Sequence, residues 1–370
     1  MTRPLFLFGT LRFEPLLRSV IGNTDHLSMH PAQLPDHAVS AVKEGPFPVI
    51  RHVANAQAEG LCVTGLTEED LAALDYYESA FDYNLRNVVL ADGTKAQAYF
   101  PRDDRFTLDG AWSLTDWTRD WSAISIHAAR EVMTYRATKS PEEIARMFPM
   151  IRARAASRLN AETSRHGTGT LDGQVEISER RRLYANYFAL DEYDLQHTRF
   201  SADMSAQVTR AVFMAADAAL VLPYDPKRDV VLVVEQFRVG PLGRGDPTTW
   251  QYEPIAGRLE AGETPQQAAR REAIEEANLH LGDLLPVAEV YSSPGTSSEF
   301  HYIFVGLADL EENVAGLGGE DGEHEDIRSH ILSFDALMEM CDNLEAANAP
   351  LALVAYWLAR HRDRIRRHGR

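Results

Sequence analysis

Cysteine is nearly absent. Cys62 and Cys341 are the only two in 370 residues, too few for a disulfide framework or a thiolate zinc site, and they read as reduced core thiols. Long apolar runs are missing as well. The longest candidate, Pro350 to Ala359, falls short of the ~18 residues that a membrane-spanning helix needs. The opening MTRPLFLFGT is too short for a signal peptide, so a cytoplasmic protein with no membrane partner is expected. Positive charge is in deficit. The chain has 37 Lys and Arg against 55 Asp and Glu, a net charge of −18, which opposes binding to a phosphate backbone, and no nucleic-acid partner is expected. The basic tail Arg360 to Arg370 reads as a solvated helix end whose arginines complement the dipole. No internal repeat is visible. Hydrophobic residues make up 45% and charged residues 25%, which is ordinary globular composition. At a soft prior of about 150 residues per domain, the length predicts two cores.

Residues 1 to about 105 alternate short apolar runs (Pro4 to Phe8, Gly60 to Val63, Val88 to Leu90, Gln97 to Phe100) with turn residues such as Asp92-Gly93. This predicts a small sheet interrupted by one helix at roughly Glu68 to Glu78. From Thr107 to Leu159 the pattern turns helical. Trp112, Trp117 and Trp121 read as core anchors, and Ser140-Pro141-Glu142-Glu143 opens a further helix. The stretch SRHGTGTLDG from Ser164 to Gly173 has linker composition. Beyond it come strands at Ala218 to Pro223 and Val230 to Gln236, a helix from Pro265 to about Ala277, strands up to Phe304, a Gly/Glu loop at 315 to 325 and a terminal helix at about 345 to 367.

The helix opening at Pro265 is the most informative element. Thr264 is a natural N-cap, Pro265 suits the first helical position and Gln267 completes a capping box. At 3.6 residues per turn, Glu272, Glu275 and Glu276 fall within an arc of about 100°. Like charges so placed repel one another and call for a counter-cation. Clustered carboxylate oxygens on a rigid element suit Mg²⁺ or Mn²⁺, particularly where substrate phosphates complete the coordination.

The whole segment, Gly257 through Glu263, Arg271, Glu272, Glu275 and Glu276 to Leu279, resembles the Nudix box, G-x5-E-x7-R-E-U-x-E-E-x-G-U. Ala273 is smaller than the usual residue, and Asn278 stands where glycine is usual. Asparagine is the next best residue for a left-handed helix cap. Glu235-Gln-Phe-Arg238, Trp250, Glu253, and Ser293-Pro294-Gly295 with Glu299 resemble the ADP-ribose pyrophosphatase branch. Pro294 stands 15 residues beyond Leu279, a spacing that the branch associates with ADP-ribose. The loop Gly318 to Arg328 resembles its mobile acidic loop. The resemblance spans about 183–358 and implies a Mg²⁺-dependent (or Mn²⁺-dependent) hydrolase that splits the pyrophosphate of ADP-ribose, or of a related nucleoside diphosphate sugar, into AMP and ribose 5-phosphate. It implies metal positions at Ala256, Glu272, Glu276 and Glu325, and catalytic carboxylates at Glu275 and Glu323, the latter as general base. Glu263 is implied as the partner of Arg271. Glu299 and Arg238 are the implied substrate contacts, Arg238 being suited to a bidentate grip on phosphate. A homodimer through the Nudix part is implied, with Leu183 to Phe200 on the partner. The competing reading is a nucleotide-sugar-sensing regulator that has lost turnover.

In the first 105 residues, Phe6-Leu-Phe-Gly9-Thr10-Leu11 offers backbone N–H groups at a glycine turn. Leu74-Asp-Tyr-Tyr-Glu78 puts a carboxylate at a helix end, and Pro46-Phe-Pro48 and Glu59-Gly60-Leu61 accompany them. Together they resemble the gamma-glutamyl cyclotransferase-like fold, with Phe8 where the family's loop has a tyrosine. The resemblance implies that Gly9, Thr10 and Leu11 hold substrate and that Glu78 accepts a proton; a ligand-sensing or structural domain is the alternative. The two-part combination resembles bacterial tellurite-resistance Nudix hydrolases, although no residue suggests tellurium chemistry. The implied fold is α+β in two domains: a small mixed β-barrel of cyclotransferase-like type, then a Nudix α/β/α sandwich with an N-terminal β extension. The expected boundaries are a cyclotransferase-like domain at 1–105, a helical connector at 106–165 and a Nudix hydrolase domain at 166–370.

Overall fold

The computed structural model describes residues 2–102, 106–163, 169, 171–311, 315–319 and 326–368. The chain divides into two compact units, Met1–Arg165 and His166–Arg370. No described helix is long and apolar enough to cross a membrane.

The first unit comprises β1 (Leu5–Leu7), α1 (Glu14–Ile21), β2 (Ser28–Val42), β3 (Gly45–Thr64), α2 (Glu68–Ser79), β4 (Tyr83–Val89), β5 (Lys95–Pro101), β6 (Leu108–Ala111), α3 (Leu114–Thr134) and α4 (Pro141–Thr163). Its six-stranded sheet runs β4-β5-β1-β3-β2-β6. The buried strand β1 is central, antiparallel to β3 through Phe6 and Cys62 and parallel to β5 through Leu5 and Gln97. Among the described residues the pairing path ends at β4 and β6, and the Ala91 N–H just past β4 donates to the Gln33 carbonyl of β2 at 2.9 Å. The helix α1 is an addition to the expected elements. Pro15 sits in its first turn, Leu16, Leu17 and Val20 are buried, and Gly22 follows its end. The α2 helix starts at Thr67, whose side chain accepts from the Asp70 N–H while the Asp70 carboxylate accepts from the Thr67 N–H. Helices α3 and α4, expected as a connector, belong to this unit. The reciprocal bonds between Ser140 and Glu143 open α4, and Val132, Ile144 and Ile151 are fully buried. Trp112 precedes Ser113, the N-cap of α3, and so lies outside the helix.

The second unit starts with a separate three-stranded sheet of β7 (Val175–Ala185), β8 (Ala189–His197) and β9 (Val208–Met214). Next are β10 (Ala218–Asp225), β11 (Val230–Phe237), α5 (Val239–Arg244), β12 (Trp250–Glu253), β13 (Ile255–Arg258), α6 (Pro265–Ala277), β14 (Leu284–Tyr291), β15 (Phe300–Leu307), β16 (Leu317–Gly318), β17 (Ile327–Ser333), α7 (Phe334–Asp342) and α8 (Ala349–His368). The eight-stranded sheet runs β14-β15-β10-β11-β17-β16, with β12 on β11 and β13 on β10. Strand β10 is buried along almost its whole length and β11 from Val231 to Val234, which explains their near-continuous apolar runs. One face packs Val221, Leu232 and Val234 against Ala268, Ala269 and Ala273 of α6. The other packs Leu222, Val231 and Val233 against Leu337 of α7 and Leu351, Val354 and Leu358 of α8. The result is the expected α/β/α sandwich behind an N-terminal β extension.

Candidate active site

Helix α6 forms as its sequence directs. Thr264 caps it with a full capping box to Gln267, and Asn278 closes it in the left-handed region at φ 47°. The helix is pressed against β13. A Cβ on Gly257 would stand 1.7 Å from Oε1 of Glu272, so only glycine leaves room for that carboxylate. On the far side, a Cβ on Gly318 of β16 would meet the Glu276 carbonyl at 2.0 Å, and the Gly319 N–H donates to the Glu275 carbonyl at 3.3 Å. Two glycines thus bring a strand and a loop onto the carboxylate-bearing end of α6.

Arg271 ties the acidic face together. Its Nε and Nη2 donate to the two oxygens of Glu263, both at 3.0 Å. Its Nη1 donates to Glu272 at 2.6 Å and to Glu275 at 2.8 Å, and Nη2 also reaches the Arg258 carbonyl. Burial alone would lower the pKa of this guanidinium, but the bonds to Glu263 and the charge of Glu272 outweigh it and raise it further. Glu276 is 2% exposed, and one of its carboxylate oxygens accepts from the Ala256 N–H at 3.4 Å. The structure therefore brings Ala256, Gly257, Glu263, Arg271, Glu272, Glu275 and Glu276 together. The expected Glu263–Arg271 pair is present, and Arg271 also engages two of the three helix carboxylates.

The donor set suits a hard divalent cation: carboxylate oxygens on one rigid helix, a glycine that admits them and an arginine that partly neutralises them. Among the described residues, no three His, Cys, Asp or Glu side chains form a ready cage. A cation here would draw its remaining oxygens from substrate phosphates and water, as small divalent ions commonly do. Glu323 and Glu325 lie outside the described residues.

Arg238 follows β11, and its Nε and Nη2 both donate to one oxygen of buried Glu253, at 3.0 and 2.7 Å. The other oxygen of Glu253 accepts from Asn348 Nδ2 at 3.1 Å, while Asn348 Oδ1 accepts from the Leu351 N–H in the first turn of α8. Glu253 thus fixes the guanidinium, which remains 41% exposed. Glu299 sits 3.2 Å from His301 Nε2. This bond and the nearby charge of Arg238 hold its carboxyl below the usual range. The roles of Asn348 and His301 were not anticipated. Gln236, part of the Glu235–Arg238 motif, is buried, and its Nε2 has no hydrogen-bond partner among the described residues. The signal for it is the polar pair Glu235-Gln236 near the end of an otherwise apolar strand.

In the first unit, Gly9, Thr10, Leu11 and Glu78 line one cavity of about 420 Å³. Burial, reinforced by the Asp75 carboxylate, pushes the Glu78 carboxyl up to about 8. The Tyr99 hydroxyl donates to Asp75 at 2.7 Å. Trp117 and Trp121, expected as core anchors, also line this cavity.

Comparison with known proteins agrees with this division. Residues 214–353 match the NUDIX domain family, and residues 5–119 match the family described as gamma-glutamyl cyclotransferase, AIG2-like. Over 192 residues the chain is 38% identical to an ADP-ribose pyrophosphatase of Escherichia coli strain K12, covering 52% of this chain and 91% of that protein. It is 35% identical over 173 residues to an ADP-ribose pyrophosphatase of Haemophilus influenzae, covering 45% of this chain and 78% of that protein. A GDP-mannose pyrophosphatase of Enterobacter sp. is 30% identical over 186 residues, covering 50% of this chain and 95% of that protein. The chain belongs to the Nudix hydrolase family.

Proposed function

We propose that the second unit hydrolyses the pyrophosphate of ADP-ribose or a related nucleoside diphosphate sugar, giving AMP and ribose 5-phosphate from ADP-ribose. The observation that supports this most is the carboxylate face of α6 gathered by Arg271 behind Gly257. Relatives named for two such substrates point the same way.

In this reading, Glu272 and Glu276, with the Ala256 backbone and Glu325, hold Mg²⁺ or Mn²⁺. A cation held there would supply positive charge to offset the pyrophosphate and the charge that develops at phosphorus. Arg271 keeps Glu272 and Glu275 oriented and limits their mutual repulsion. Arg238, pre-set by Glu253, grips a phosphate oxygen, and Glu299 sits within its field at the substrate's edge. Glu323 takes the proton of the attacking water for in-line displacement.

The protein is proposed to act as a cytoplasmic homodimer. The β7–β9 region supports this, because Val175, Ile177, Leu183 and Tyr184 of β7 and Phe200 between β8 and β9 are all more than half exposed, and exposed apolar patches mark interaction surfaces. Residues 1–105 are read as the cyclotransferase-like part, 106–165 as helices added to it and 166–370 as the hydrolase. A panel of nucleoside diphosphate derivatives assayed with Mg²⁺, with products separated, tests the reaction and its substrate class together. Release of AMP from ADP-ribose is expected. Absence of turnover on every nucleoside diphosphate sugar would point to the regulator reading instead.

A further inference from the structure

The cavity of the first unit has two kinds of wall. One is the Gly9 turn with Glu78; the other comes from α3 and α4 and includes Trp121, Ser125, Phe148 and Arg152. Those four residues all lie beyond the 5–119 stretch that matches the cyclotransferase family, whereas Trp117 of α3, which also lines the cavity, lies within it. The cavity as a whole is lined by rings set edge to face, with Phe148 of α4 packed on a ring from outside α3 and α4. Phe148 meets Phe81 at 4.5 Å between centroids, and Phe81 meets Tyr77 at 5.1 Å. Phe47 and Phe106, also lining the cavity, stand 5.4 Å apart. The Arg152 guanidinium lies 5.5 Å from the Trp121 ring centroid.

Such a wall discriminates by chemistry. Ring faces and edges so arranged offer a flat guest the offset and T-shaped contacts that aromatic pairs prefer. The guanidinium adds a cation of the kind that attracts a π face. The Glu44 carboxylate, which also lines the cavity, accepts from the Thr107 N–H at 2.8 Å. A charged arm buried among the rings would lose hydration. The volume of about 420 Å³ falls in the range that accommodates a small ligand.

We propose that the α3–α4 wall is a subsite for a flat aromatic group, so that the first unit takes γ-glutamyl amides whose amine side is aromatic. This rests on reading the Gly9 turn and Glu78 as the seat of the γ-glutamyl head. The test is isothermal titration of the full chain with γ-glutamylphenylalanine, γ-glutamylglycine and γ-glutamyl-lysine, repeated on Trp121→Ala and the milder Phe148→Leu. The phenylalanine compound is expected to bind about tenfold or more tightly than the other two. Both variants should erase most of that preference while leaving the glycine compound within about twofold. Equal binding of the three compounds, or a preference that survives both variants, overturns the aromatic subsite and leaves the head-group reading standing. Binding of none of them overturns both.

Discussion

At the scale of single residues, each carboxylate has a task set by its surroundings. Glu276 is buried against the Ala256 N–H, and Glu272 occupies the space that Gly257 leaves open. Replacing either by glutamine keeps shape and hydrogen bonding but removes a charge from a crowded face. Glu272→Gln and Glu276→Gln should therefore fold normally and retain less than about a tenth of wild-type turnover, as expected of lost metal ligands; a rate assay beside a circular dichroism melt checks both parts. Glu323→Gln should lower kcat by roughly 10²-fold with little change in KM, and a change mainly in KM would make Glu323 a binding residue. Glu78 gives a pH signature of another kind. Its carboxyl is raised to about 8 by burial and then by Asp75, so between about pH 4.5 and 8 the folded protein holds a proton that the unfolded chain has released. The stability contributed by this group is full below that window and falls as pH rises through it. Glu78→Gln should flatten the slope of the first unit's melting temperature over that range, and an unchanged slope would assign it to other groups.

At the scale of elements, α6 was legible in the sequence down to its caps. Thr264, Pro265 and Gln267 are local signals, and the side chain of Asn278 tolerates the left-handed backbone that ends the helix. Asn278→Gly should therefore melt at or slightly above wild type, while Asn278→Ala should cost about 1 kcal/mol, measurable by denaturant unfolding of the intact chain. The strands β10 and β11 were equally plain because burial on both faces leaves an unbroken apolar run. By contrast, β2 is mostly half-buried or exposed along its fifteen residues, which removes the alternation that marks a strand. Helix α7 has only nine residues, with Phe334, Leu337 and Cys341 as its buried positions, a short pattern that the neighbouring loop obscures. The same limit applied to the site. The Nudix box is contiguous and could be read, whereas the line from Asn348 through Glu253 to Arg238 joins residues 95 positions apart and exists only once β12 and α8 have met.

At the scale of the whole molecule, composition anticipated two cores, and the contacts divide the chain between Arg165 and His166. The segment Ser164 to Gly173 lacks apolar anchors apart from Leu171, so it offers either core little to bury. All strands from β7 to β17, the helices α5 to α8, and every residue assigned to the hydrolase, from Arg238 to Glu325, lie on its carboxyl side. The two faces of the central sheet are filled within that part by α6 on one side and by α7 and α8 on the other. A fragment beginning near Gly167 should therefore fold cooperatively and hydrolyse ADP-ribose at a rate similar to the full chain. It should also remain dimeric, because the exposed apolar residues of β7 and the Leu183 to Phe200 segment travel with it. Light scattering and a steady-state assay on the same preparation check both expectations. A mass near that of one fragment would remove the dimer. A folded, dimeric but inactive fragment would mean that the amino-terminal half acts on the hydrolase, and Glu78 with its cavity would then be the place to look for a regulatory ligand of the second unit.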